Sequence, residues 1–181
     1  MQTRDRRERL RELVSHIHPE PVELEKFQPG RRCLVAATAP VSQIRDFHEA
    51  VTHCWVATCI HYIGSATRIG ELLDPLGISE DETLSLGEDG PFSLELLVRS
   101  GLEERICSYD TIVVLINNVA GIGYGNVLSA FFNFHLPEVY LWNIQGQILH
   151  WERERWKFAE VKTKELNELL ESVYREMEGS R

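Results

Sequence analysis

The run Thr111-Ile112-Val113-Val114-Leu115-Ile116 constrains this chain more than any other segment. It is apolar without alternation and rich in β-branched residues. An alternating strand has one wet face. A strand that is apolar throughout is covered on both faces, the condition of a central strand in a parallel sheet. A second run, Cys33-Leu34-Val35-Ala36-Ala37 within 32–39, repeats the pattern before Pro40 stops it. Two such strands need helices above and below them.

The rest of the chain supplies those helices. Residues 4–17 read as a polar helix with the stripe Leu10, Leu13, Val14 and Ile17, ended by His18-Pro19-Glu20-Pro21. Residues 19–31 form a connector closed by Pro29-Gly30. Ser42 can cap a helix over 43–53, with Ile44, Phe47, His48 and Val51 on one face. Residues 54–63 are aromatic and β-branched enough for a second strand, the alternative being one helix over 44–62. Ser65 caps a short helix carrying Ile69, Leu72 and Leu73, ended by Pro75 and Gly77. An acidic segment, 78–90, surrounds a short strand at 83–86. Pro91 opens a helix with Leu94, Leu97, Val98 and Leu102 as its apolar face.

A helix over 126–135 follows the second apolar run. Then come a strand at Val139-Tyr140-Leu141-Trp142, a tight Gln145-Gly146 turn and a hairpin arm at 147–151. A closing helix over 160–178 carries Leu166, Leu169, Leu170, Val173, Tyr174 and Met177 at helical spacing. This order predicts an α/β fold: three layers, a mainly parallel sheet flanked by helices, Rossmann-like, with a C-terminal hairpin and closing helix. The 181 residues divide into an N-terminal helix and connector, 1–31, and a single α/β domain, 32–181.

Charge narrows the partners. A net charge of −9 argues against nucleic acid, whose binding needs basic surface. The arginines between Arg4 and Arg11 are interleaved with Asp5 and Glu8, which suits a solvated helix face. No apolar run is long enough to span a bilayer, and the charged N-terminus does not suggest a secretory signal. Cys33, Cys54, Cys59 and Cys107 are expected to be reduced and mostly buried, in keeping with a cytoplasmic protein.

Parallel α/β sheets bind ligands beyond the carboxyl ends of their strands. Two turns are expected there. One is Thr38-Ala39-Pro40-Val41-Ser42. The other runs from Asn117 and Asn118 through Gly121-Ile122-Gly123-Tyr124-Gly125 to Asn126. Alternate glycines let backbone approach a ligand, and the helix start that follows favours an anion. Asn126 can cap that helix, and the two asparagines offer amides. These groups fit a phosphate, a ribose or a carboxylate. Arg45 and Arg68 each follow a strand near a helix start, within possible reach of a phosphate. The turn matches neither the dinucleotide fingerprint nor a Walker loop, and no cofactor is implied.

From Ser108-Tyr109-Asp110 through the apolar strand, the glycine turn, its helix and Pro137 to Trp142, the chain resembles the C-terminal half of the nucleoside 2-deoxyribosyltransferase-like proteins. It is also similar to the related Rossmann-like nucleotide-sensor and lysine-decarboxylase-like groups. The likeness covers about residues 92–175. It implies a glutamate on the helix after the glycine turn that attacks an anomeric carbon. Here that helix begins Gly125-Asn126-Val127-Leu128-Ser129, without a carboxylate.

The first expectation is therefore a nucleotide- or nucleoside-binding, sensor-like domain. The second is an N-glycoside hydrolase or transferase whose acid has moved to Asp46 or Glu49. The third is a non-catalytic assembly protein, and a homo-oligomer is expected. Cys54, Cys59 and His61 have metal-ligand chemistry but not zinc spacing, so no metal is expected. Trp142, Trp151 and Trp156 serve either core packing or a subunit interface.

Overall fold

The computed structural model describes residues 21–87, 89–118, 123–134, 138–155 and Glu168. Both apolar runs are central strands, β2 (Arg32–Ala36) and β5 (Thr111–Leu115), paired in parallel. Around them run β3 (Cys59–Gly64), β4 (Thr83–Ser85), β6 (Glu138–Trp142), β7 (Ile148–Glu152) and the edge strand β1 (Pro21–Val22). The sheet order is β1-β7-β6-β5-β2-β3-β4. The five strands from β4 to β6 are parallel, and β7 and β1 add antiparallel. The fold is the expected mainly parallel, helix-flanked α/β arrangement.

Alternation along β2 sends Cys33, Val35 and Ala37 to one face and Leu34 and Ala36 to the other. All five are buried. The first face packs against α1 (Val41–Cys54) through Ile44, Phe47 and Val51, and against α2 (Ala66–Leu76) through Ile69 and Leu72. The second face carries α3 (Leu94–Arg99), α4 (Glu103–Ile106) and α5 (Gly125–Asn133), which bury Leu96, Leu97, Ile106, Leu128 and Phe131. Each such side chain stabilises the fold by about 1.5–3 kcal/mol relative to exposure.

Several boundaries differ from expectation. Residues 54–58 are not strand. Helix α1 runs to Cys54 because Phe47, Val51 and Trp55 repeat every four residues on its buried side, and the Trp55 N–H still bonds to the Val51 carbonyl at 2.7 Å. Ser42 makes no cap. Pro40 is the N-cap, and its carbonyl accepts from Gln43 and Ile44. Pro75 lies inside α2, and Gly77, at φ 64°, ends that helix. The next helix opens at Leu94, not Pro91, with the Ser93 hydroxyl accepting from the Leu96 N–H. Its six residues bury Leu96 and Leu97 and leave Val98 exposed, since the chain turns off at Gly101 before Leu102.

The hairpin loop is wider than a Gln145-Gly146 turn. Buried Asn143 organises it, accepting at Oδ1 from the N–H groups of Gln145 and Gln147. Part of the connector is the strand β1, paired with β7. The sheet lies in one compact unit, Glu20–Arg153, and Met1–Pro19 with Glu154–Arg181 make up the other. The expected helices at 4–17 and 160–178, the latter except for the helical Glu168, lie outside the described residues, with Gly121 and Trp156. Among the described residues, no helix is long and apolar enough to cross a membrane.

Candidate functional site

Strand β2 is the point at which the sheet changes direction. From it the chain crosses through α1 to β3 and through α2 to β4 on one side, and later returns to β5 on the other. In open α/β sheets the crevice at such a reversal, beyond the strands' carboxyl ends, is where ligands bind. Here two side chains bridge it. The Thr38 hydroxyl donates to the Leu115 carbonyl at 2.6 Å, and the Gln43 amide donates to the Ile116 carbonyl at 2.5 Å.

Beside that bridge is a cleft of about 300 Å³. Four crossovers contribute to it: Thr38 after β2, Gly64 and Ser65 after β3, Leu86 after β4, and Gly123, Tyr124 and Asn126 at the start of α5. Phe92 and Arg68 complete its walls. Gly64 has a steric reason to be glycine, because a Cβ there would lie 3.1 Å from Arg68 Cγ. Gly123 has a conformational one, φ +90°. The Arg68 side chain is partly exposed, and its guanidinium pairs with Glu71 at 2.9 Å.

Tyr124, at the start of α5, bonds back to Asn117 beyond β5. Tyr124 Oη donates to Asn117 Oδ1 at 3.0 Å and accepts from the Asn117 N–H at 3.1 Å. The Asn118 carbonyl faces the Ile144 N–H at 3.5 Å. Asn126 is not the cap of α5. That helix begins one residue earlier, at Gly125, with Tyr124 as N-cap, and the Asn126 amide instead donates to the Phe92 carbonyl. This bond ties the loop before α3 to the start of α5.

Of the residues expected at the site, Thr38, Gly123, Tyr124 and Asn126 line one cleft, with Gly125 and Asn117 adjoining through Tyr124. Ser42, Arg45, Asp46 and Glu49 do not. They are exposed on α1, outside the cleft's lining. Arg68 does line it, and Arg45 does not. Phe92 and Gly90 were not legible as site residues. The only sequence signal for their loop was the Gly90-Pro91 turn.

Next to the cleft, Asp89 reaches the first turn of α2. Its carboxylate accepts from Thr67 Oγ1 at 2.6 Å and from the Thr67 N–H at 3.3 Å. Those hydrogen bonds, with Ser65, hold its carboxyl below the usual carboxylate range.

The opposite end of the sheet has different chemistry. Cys59 Sγ lies 3.8 Å from His61 Nε2 on one face of β3. Burial, with Arg105 and Arg32 nearby, pushes the His61 imidazole pKa down. His48 bonds through Nδ1 to the Tyr62 hydroxyl at 2.8 Å, and burial lowers its pKa also. Among the described residues, no group of three or more His, Cys, Asp or Glu side chains is placed to hold a metal. Only Cys33 is buried; Cys54, Cys59 and Cys107 are exposed, contrary to expectation, because they sit at element ends rather than within covered strand. Trp142 and Trp151 are core residues, the first edge-on to Phe47 at 5.3 Å. No protein-family model, curated protein or solved structure matches the chain.

Proposed function

We propose that this protein binds a nucleoside or nucleotide in the carboxyl-end cleft. One observation carries the reading: four crossovers of a parallel sheet converge on a single cleft that holds a partly exposed arginine and the starts of two helices. Its volume of about 300 Å³ is at the lower end of small-molecule sites, which run from about 300 to 1,000 Å³. Arg68 offers a planar donor fork for phosphate oxygens. Tyr124 and Phe92 are the aromatic residues of the lining, the side chains suited to a base. The Thr38 hydroxyl, its proton engaged by Leu115, can accept from a sugar hydroxyl. The start of α5, Gly125 to Ser129, has no counterpart of the nucleophilic glutamate that the resemblance implies there, which supports binding over glycosidic cleavage.

Thermal unfolding against adenosine, its mono- and diphosphates and NAD tests this. A ligand at 100 times its Kd adds about 2.7 kcal/mol of stability. The reading expects a shift with at least one nucleoside compound that is reduced in Arg68→Gln when the compound carries phosphate. Cooperative unfolding at one unchanged temperature throughout overturns it.

A further inference from the structure

The amino end of β3 carries a second set of reactive groups, away from the carboxyl-end cleft. Strand β4 pairs only with Tyr62 to Gly64, so among the described residues no strand flanks Cys59 to His61 on that side. Cys59 is exposed there. Its Sγ lies 3.9 Å from Nδ1 and 3.8 Å from Nε2 of His61, two residues along the same face. A neutral imidazole has one nitrogen free to accept a proton, and either nitrogen stands beside the thiol.

The surroundings keep that ring neutral. It stands edge-on to Tyr109, with centroids 5.4 Å apart. Arg105 of α4 and Arg32 of β2 place positive charge nearby, and Asp81 and Glu82, just before β4, place negative charge. Burial and the two arginines outweigh the two carboxylates, and the His61 pKa is pushed down. Near pH 7 the ring is therefore a base. Cys54 and Cys107 are exposed as well, yet among the described residues Cys59 is the exposed thiol placed against an imidazole, while the Cys107 thiol donates to the Phe134 carbonyl.

Cys59 also borders a cavity of about 270 Å³ that shares no lining residue with the carboxyl-end cleft. Trp55, Val56, Ile60 and Ile78 are its apolar walls, beside Thr52 and Glu82. Trp55 is buried, and its indole N–H has no hydrogen-bond partner among the described residues. Apolar walls and an unpaired donor suit a compound with an apolar body and a carbonyl acceptor.

We propose that Cys59 is a nucleophilic thiol with His61 as its base, and that the cavity presents apolar α,β-unsaturated carbonyl compounds to its sulfur. His61 takes the thiol proton. The sulfur adds to the β-carbon, the alkene's π pair moves to the carbon next to the carbonyl, and the imidazolium returns its proton there. An S–H bond and a π bond break, an S–C and a C–H bond form, and nothing leaves.

The test treats the folded full chain with methyl vinyl ketone and phenyl vinyl ketone, which share the reactive group and differ in the apolar body. Mass spectrometry follows each cysteine separately, with Cys54 and Cys107 as internal standards and buried Cys33 as the reporter of unfolding. Cys59 is expected to react about tenfold faster than the other exposed thiols, below the roughly hundredfold of a fully aligned general base. His61→Gln should bring it down to their rate, and His61→Asn is read in its place if Cys33 begins to react. The ratio of phenyl to methyl ketone rates should be higher at Cys59 than at Cys107. Equal rates at the exposed cysteines of the wild type, or a lead that survives loss of the imidazole, overturn the nucleophile pair. Equal ketone ratios at Cys59 and Cys107 overturn the part assigned to the cavity.

Discussion

The two ends of the parallel strands use similar residues to opposite effect. At the amino end, Arg32 lies 4.7 Å over the Tyr109 ring and donates through Nη1 to the Ser108 hydroxyl at 2.9 Å. The Asp110 carboxylate accepts from the Arg32 N–H at 2.9 Å. Gly30 is pressed against Asp110, where a Cβ would lie 2.2 Å from the aspartate Cβ. At the carboxyl end, Arg68 crosses Gly64, and Gly123 borders open space. An arginine and a glycine thus close one end and leave a cleft at the other. The lesson is that residue type does not mark a site. What marks it is whether the neighbouring chain fills the space the glycine leaves.

The two ends differ most at their glycines. Gly30→Ala forces a methyl into Asp110 and is expected to lower stability by about 1–3 kcal/mol, the cost of overpacking. The urea midpoint should fall with an unchanged m-value, and nucleotide affinity of the folded fraction should be unaffected. Arg68→Gln is the converse. Its ion pair with Glu71 is partly exposed, so stability should change by less than about 1 kcal/mol. Affinity for a phosphorylated ligand should fall by about tenfold or more, the scale of a charged hydrogen bond, when read by calorimetry. Gly123→Ala should cost about 1–2 kcal/mol, from φ +90° alone and not from a clash. Its midpoint shift should therefore be smaller than that of Gly30→Ala.

The smallest expected effect is in pH. His48 and His61 have lowered native pKa values, mainly through burial, so the unfolded chain binds protons more readily. Their contribution is present above about pH 6.5 and is lost as pH falls from there toward the native values. The carboxyls of Glu82 and Asp89 are held low by hydrogen bonds from Ser79 and Thr67. Their contribution is present above about pH 4 and disappears as pH drops further. Thermal midpoints measured from pH 8 to 3 should fall in two stages. His61→Gln should weaken the first and Asp89→Asn the second.

The sheet was legible because the Cys33–Ala37 and Thr111–Ile116 runs lack a polar face, and only a doubly covered strand satisfies that. At the exit of β5 only Gly123 of the described residues gives a reason for glycine, its φ of +90°. Residues 54–58 were not legible. Trp55 and Val56 have strand propensity, yet packing of Trp55 on Phe27 and Phe47 keeps the segment at a helix end. The orientation of α1 and the loop at Phe92 were equally hidden. Ser42, Arg45, Asp46 and Glu49 follow β2 in sequence, but the rotation of α1 turns them to solvent while Ile44 and Phe47 face the sheet. Phe92 enters the cleft through a hydrogen bond to Asn126, 34 residues away, which no local pattern encodes.

The central claim is that the carboxyl-end cleft, and not the amino end, receives the ligand. Hydrogen exchange with and without saturating adenosine monophosphate tests it directly. The account predicts slowed exchange at 64–68 and 123–127, with residues 30–33 and 108–111 unchanged. Protection centred on the amino-end segments, or none at either end, would contradict it.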